Sequence, residues 1–345
     1  MNNKIKLGIV GMGRMGITHF SIINTHPQVE VKAVADPSKI VVSLLKKYTG
    51  VNTFKNYEDM INSGEVNAIL VCTPPHLHFP IVEYAGKKGI HVFCEKPYTT
   101  KLKEAKILAD LFNSKNLVNM VGYVNRHNDI FVKAKSLVEG GVIGNIIRFK
   151  SEMFSCTVDK PDEGDGWRSN SATGGGALFE MGAHAIDLVN YLIGKPDKVV
   201  GSSFNKIFSK KVEDALSSTF LYADGKSGTL FVNWSDSSFR KPSNKIEIFG
   251  SKGKILADQH SIKIFLNEEN KTENLRIGWS TLYITDVFRP VPFYVRGNEF
   301  TRQLYDFVNL ILGDDLVNIC SFDDGVKTLE VIEEIISNSK LNTIN

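Results

Sequence analysis

Glu95-Lys96-Pro97 follows the short apolar run HVFC and so sets an amine at the carboxyl end of an expected strand. A lysine held there, partly desolvated, can serve as a hydrogen-bonding electrostatic group or as a base. Pro97 restricts the turn that aims it and is compatible with a cis peptide. A second constellation is Gly174-Gly175-Gly176-Ala-Leu-Phe-Glu180-Met-Gly-Ala-His184-Ala-Ile-Asp187-Leu. If this stretch is helical, Glu180, His184 and Asp187 stand at i, i+4 and i+7 and share one face. A histidine flanked by two acids can be held in one tautomer and move a proton. The same trio could ligate a divalent metal. No other acid or histidine cluster calls for one, and no metal is expected.

A third set binds instead of reacting. Gly11-Met12-Gly13-Arg14-Met15-Gly16 follows the run KIKLGIV and opens a helical stretch, and Asp36 closes the next apolar run. Strand, glycine turn, helix and a carboxylate at the second strand's end form a dinucleotide-binding pattern. The first glycine permits the tight turn, the second lets backbone approach a pyrophosphate, and the third lets helix and strand pack closely. The helix N-terminus offers N–H donors to the anion. A carboxylate at Asp36 accepts from the adenosine ribose hydroxyls and repels a 2′-phosphate, so NAD is expected over NADP.

The elements needed to position these residues follow from periodicity. Up to about residue 123, the runs KIKLGIV, VEVKAVAD, AILVCTP, HVFCEKP and VNMVGY alternate with helical segments, which predicts a parallel sheet with right-handed crossovers. In such a sheet the carboxyl ends of the strands line the ligand crevice. The turn Thr73-Pro74-Pro75-His76-Leu77-His78 is therefore placed under the cofactor, with Thr73, Pro74 and His78 as its contacts beside Glu95 and Lys96. Tyr123, which ends the last run, and Arg126 just past it are assigned to substrate, and Asn125 to the cofactor. After a helical stretch near 128–139 come IIRFKSEMFS, KVVGSSF, ALSSTFLYA, SGTLFVNWS, KIEIFG and KGKILAD, a largely antiparallel set, with helices expected over 182–193, 298–312 and 324–338. The expected division is an α/β domain over 1–123 and an α+β domain over 124–345.

The glycine loop with its acid, TPPHLH, EKP and the triple glycine leading into the histidine helix together resemble the Gfo/Idh/MocA oxidoreductase family over nearly the whole chain. The resemblance implies an N-terminal Rossmann domain and a C-terminal domain with an open, mostly antiparallel sheet through which members form homodimers or homotetramers. It implies Lys96 and His184 as the acid–base pair. Where many members carry an aspartate four residues before the histidine, this chain has Glu180, which points to binding or orientation, with Asp187 alongside. Trp167 and Arg168, and the run Phe288 to Phe300 with Arg289, Tyr294, Arg296 and Glu299, look like variants in members acting on sugars or nucleotide sugars: aromatic faces cover sugar C–H surfaces and polar groups bind hydroxyls or phosphate.

The reaction so implied is hydride transfer between NAD and a secondary alcohol carbon. A redox-assisted lyase, epimerase or glycosidase that recycles its NAD is the alternative within catalysis, and a non-catalytic NAD sensor the alternative outside it. Composition limits partners. With 41 Lys+Arg against 38 Asp+Glu and no long basic run, nucleic acid is not expected. No run approaches the roughly 20 apolar residues of a membrane span, and the amino terminus enters a strand without a leader. Cys72, Cys94, Cys156 and Cys320 lack CxxC spacing and read as reduced thiols of a cytoplasmic protein.

Overall fold

The computed structural model describes residues 4–161 and 166–341. These divide into two compact units: the residues to Val124 with Pro290–Val326, and Asn125–Arg289 with the chain from Lys327.

The first unit begins as β1 (Ile5–Val10), α1 (Arg14–Ile23), β2 (Val29–Ala35), α2 (Lys39–Thr49), β3 (Asn52–Phe54), α3 (Tyr57–Asn62), β4 (Ala68–Val71), α4 (His78–Lys87), β5 (His91–Cys94), α5 (Leu102–Ser114) and β6 (Asn119–Val121). Its six strands lie in the order β3-β2-β1-β4-β5-β6, all parallel. Every residue of β4 is buried, the near-continuous apolar pattern of a strand covered on both faces. Successive strands are added to one side of β1 up to β3 and to the other side from β4 on, so the switch point lies between β1 and β4, where a doubly wound sheet opens its ligand crevice.

The second unit holds α6 (Asp129–Glu139), β7 (Ile146–Phe154), α7 (Ala183–Leu192), β8 (Lys198–Asn205), β9 (Ala215–Leu221), β10 (Ser227–Asn233), β11 (Ser243–Gly250), β12 (Gly253–Ala257), β13 (Ser261–Leu266), β14 (Gly278–Tyr283) and the short α8 (Ile284–Val287). The eight strands run β14-β13-β12-β11-β7-β10-β9-β8, antiparallel except at β7–β10. Inward residues alternate with outward ones, as along β13 and β10, the pattern of a sheet covered on one face. Helices α6 and α7 cover it, packing on β12, β13, β7 and β10.

After β14 and α8, the helix α9 (Asn298–Leu312) belongs to the first unit, and α10 (Phe322–Leu341) starts in the first unit and continues into the second. The boundary after Val124 falls one residue from the expected one, but Pro290–Val326 joins the first unit instead of the second. The reason is aromatic packing. Tyr305 meets His26 at 4.3 Å, Phe307 meets Phe93 at 6.0 Å, and Phe322 stacks on Tyr98 at 4.4 Å.

Candidate functional site

In the first unit the turns after β1, β4 and β5, three adjacent strands, stand side by side. Gly11 sits at φ +89°, and a Cβ there would press on the Cys72 carbonyl at 3.0 Å. At Gly16 a Cβ would strike the Gly11 carbonyl oxygen, whereas at Gly13 it would meet nothing within 4 Å. Turn, close packing and open approach are thus divided among the three glycines as a bound pyrophosphate requires. Gly13 also caps α1 with no side-chain hydrogen bond to its first N–H groups, which keeps those donors for an anion. Thr73 Oγ1, at the end of β4, is buried with no partner among the described residues. These residues fit a dinucleotide.

Asp36 is fixed. Its Oδ2 accepts from Met12 N at 2.7 Å and its Oδ1 from Ser38 N at 2.8 Å. Each oxygen retains a further acceptor site, so the carboxylate ties the glycine loop while still presenting charge at the end of β2. Arg14 and Met15 open α1, Arg14 exposed and Met15 half-buried.

Lys96 is half-buried and joined to Pro97 by a cis peptide bond. Glu95, assigned to the cofactor by sequence, is buried. Its Oε1 lies 2.6 Å from His19 Nε2, and its Oε2 accepts from Lys96 N at 3.2 Å. His78 is fully buried as well, with Nδ1 2.9 Å from the Pro97 carbonyl and Nε2 2.8 Å from the Thr73 carbonyl. A neutral ring can donate to only one of them. Burial pushes its pKa down, against the pull of the two carbonyl oxygens. His78 therefore ties the turn after β4 to the turn after β5 from beneath and has no surface to offer a ligand. Pro74 is half-buried in the same turn.

Arg296, grouped by sequence with the sugar-binding run, lies in the first unit. Its guanidinium is 5.3 Å from the Phe300 ring. Burial and the like charge of Arg14 lower its pKa, while Glu95 raises it. Tyr123, assigned to substrate, is fully buried, and its carbonyl accepts a contact from the Cys320 thiol at 3.8 Å.

The second unit assembles the other group. Leu178–Gly182 forms a π turn ahead of α7. A π turn carries more residues than an α turn, so the even i, i+4, i+7 face expected of Glu180, His184 and Asp187 is broken at Glu180. Glu180 turns to Arg168, whose Nη2 is 3.3 Å from its Oε1. The Arg168 guanidinium lies 4.5 Å over the Trp167 ring. Asp187 is buried against Arg126, with contacts of 2.7, 3.0 and 3.1 Å to Nη2 and Nε. That is an internal fork-to-fork pair, so the structure gives Arg126 and Asp187 to each other where sequence gave both to substrate. Asn125 is buried too.

His184 is half-buried on the first turn of α7. Glu213 sets the start of this stretch: its Oε1 accepts from Leu178 N at 2.8 Å and its carbonyl from Ala177 N at 3.1 Å. Burial raises the pKa of its carboxyl. Gly176, at φ +100°, gives it room, since a Cβ there would strike its carboxylate. Arg289 pairs with Asp129 at 3.6 Å, and Tyr294 is exposed. Among the described residues no three His, Cys, Asp or Glu side chains are grouped to hold a metal ion.

Glu213 and His19 were not legible as site residues. Glu213 lies in a loop far along the chain from the helix it caps. His19 left one trace, a polar ring three residues past Gly16 on an otherwise apolar helix face.

Two family descriptions match the chain: "Oxidoreductase family, NAD-binding Rossmann fold" over residues 5–123, and "GFO/IDH/MocA C-terminal domain" over residues 131–256. Rhizopine catabolism protein MocA of Rhizobium meliloti is 32% identical over 230 residues, 65% of this chain and 70% of its own. Myo-inositol 2-dehydrogenase of Thermotoga maritima is 26% identical across 94% of this chain and 89% of its own. In fold, the chain is similar to a levoglucosan dehydrogenase solved in complex with NADH, with a TM-score of 0.85 at 22% identity, covering 98% of this chain and 97% of the other.

Proposed function

The chain belongs to the Gfo/Idh/MocA oxidoreductase family, and from that premise we propose that it is an NAD-dependent dehydrogenase acting on a secondary alcohol of a sugar or nucleotide sugar. One observation carries the reading: a lysine stands on the turn after β5, in the row of strand ends that begins with a glycine loop left open at Gly13. The names of the relatives support the substrate class, since they include dehydrogenases of inositol and levoglucosan.

When bound, NAD supplies the ring carbon that takes the hydride from the alcohol carbon, or returns it in reduction. The chain's own residues manage the proton and the fit. Lys96 takes the hydroxyl proton as the carbon loses hydride and the carbonyl forms, and His184 is the second acid–base group. Glu180, held by Arg168, binds sugar hydroxyls, and the Trp167 face covers sugar C–H surface. Arg126 and Asp187 act through the helix they anchor, not by touching substrate. The recycling alternative differs in one respect: the hydride goes back to the product and no NADH is released.

We also place assembly, as a homodimer or homotetramer, on the outward face of the eight-stranded sheet. There Phe154, Phe231, Leu256 and Phe265 are half-buried and Phe249 and Trp279 exposed, with Lys and Glu between them. The reading is of a cytoplasmic protein; no described helix is long and apolar enough to cross a membrane.

Cofactor choice tests the first half of the proposal. Because the Asp36 carboxylate is pinned by two main-chain N–H groups, it cannot swing away from a 2′-phosphate. NAD(H) is expected to bind more tightly than NADP(H) in fluorescence titrations, and Asp36→Ala to narrow the gap by weakening the first and relieving the second. Equal or tighter NADP(H) binding by the unaltered protein would contradict the reading.

A further inference from the structure

We propose that His19 is a positioning residue for Lys96: its imidazole holds the Glu95 carboxylate, and that carboxylate holds the main chain of Lys96. The inference rests on the acid–base reading of Lys96 given above.

His19 lies on α1, one helical turn past the glycine loop, and is fully buried. Its Nε2 stands 2.6 Å from Glu95 Oε1, while Glu95 Oε2 accepts from Lys96 N at 3.2 Å. The His19 Nδ1 is buried with no partner among the described residues. A neutral ring therefore carries its proton on Nε2 and donates it to Glu95.

The surroundings leave the pair little freedom. Phe93 meets the His19 ring edge-on at 5.4 Å, and Phe300 lies at 6.5 Å. On the far side Gly122 makes room for the carboxylate, since a Cβ there would come within 3.1 Å of Glu95 Oε2. A leucine would satisfy this apolar pocket, and a buried polar pair is seldom the more stable choice. What the pair adds is a link from the helix of the glycine loop to the turn that carries the lysine.

Cys72, Cys94, His78 and Arg296 also couple to Glu95 by charge. His19 Nε2 on Oε1 and Lys96 N on Oε2 hold the two carboxylate oxygens at opposite ends.

The test compares His19→Leu with His19→Gln, whose side-chain amide carries an N–H that can reach Glu95. His19→Leu should lower kcat roughly 10- to 100-fold, the scale of a small misplacement of a reacting group, with KM for NAD and for substrate little changed. A buried carboxyl that loses a donor takes up its proton at higher pH. The acid limb of the kcat profile should therefore move up in His19→Leu and return in His19→Gln. A second readout needs no turnover: the Glu95 carboxyl followed by carbon-13 NMR in the cofactor-free protein, with its midpoint raised in His19→Leu and restored in His19→Gln.

Equal loss of kcat in both variants with no movement of the carboxyl midpoint would overturn the proposal, as would wild-type kcat in His19→Leu. If the midpoint moves as described but Lys96→Ala retains full turnover, the hold on Glu95 stands and the acid–base reading of Lys96 is what fails.

Discussion

Lys96→Ala and His184→Ala should each remove most turnover, by roughly 10²- to 10⁴-fold for the one that transfers the proton, while NAD affinity stays nearly unchanged. The range is what a general acid or base contributes, and the selectivity follows from position. Lys96 is half-buried at the end of β5, while the glycine loop that binds the dinucleotide is built from backbone and from Asp36. His184 lies in the other unit, on the first turn of α7. Steady-state kinetics with parallel NADH titration separates the effects. The residue that transfers the proton should lose mainly kcat, and its companion should lose less rate and more substrate binding. Near-normal turnover in His184→Ala would remove the histidine helix from the chemistry and leave Lys96 as the one proton carrier.

A second large effect concerns stability. Arg126 is 4% exposed, and Asp187→Ala removes the carboxylate that its guanidinium faces, a loss expected to cost about 3–5 kcal/mol. Urea unfolding should show it as a lower midpoint at an unchanged slope. The double variant Arg126→Met/Asp187→Leu should recover much of the loss, because replacing both members of a buried pair removes the uncompensated charge. If instead Asp187→Ala unfolds like the parent and only raises KM, then Asp187 touches substrate and the pair is not what holds α7.

Strand ends are read directly: an apolar run followed by Gly11, Thr73 or Glu95 places those residues, because a continuous apolar run and a turn signal are both local. The short β3 is not legible, since three residues carry no periodicity, and β13 and β14 lie beyond the last expected strand. The return of Pro290–Val326 to the first unit depends on Tyr305, Phe307 and Phe322 meeting aromatic partners far away in sequence. No local pattern announces such contacts.

The histidine segment illustrates the same limit inside the candidate site. An even helical spacing put Glu180, His184 and Asp187 on one face, but the π turn and the partners Arg168 and Arg126 draw the two acids to separate tasks. Asp187 is legible as a polar residue on an otherwise apolar helix, whereas Arg126 stands among Asn125, His127, Asn128 and Asp129 with nothing to single it out. That they satisfy each other is a tertiary fact. The same holds for Glu213, whose carboxylate caps a segment 35 residues before it.

The central claim is hydride transfer from a sugar CH–OH carbon to NAD, with NADH released. It is tested most directly by incubating the protein with NAD and a panel of sugars deuterated at ring CH–OH positions, then weighing the cofactor by mass spectrometry. The account predicts that one substrate yields free NADH heavier by one deuterium, together with the matching keto sugar. Deuterium found in the product with no NADH accumulating would contradict it in favour of a recycling enzyme, and binding of NAD with no deuterium transfer from any sugar would contradict it in favour of a sensor.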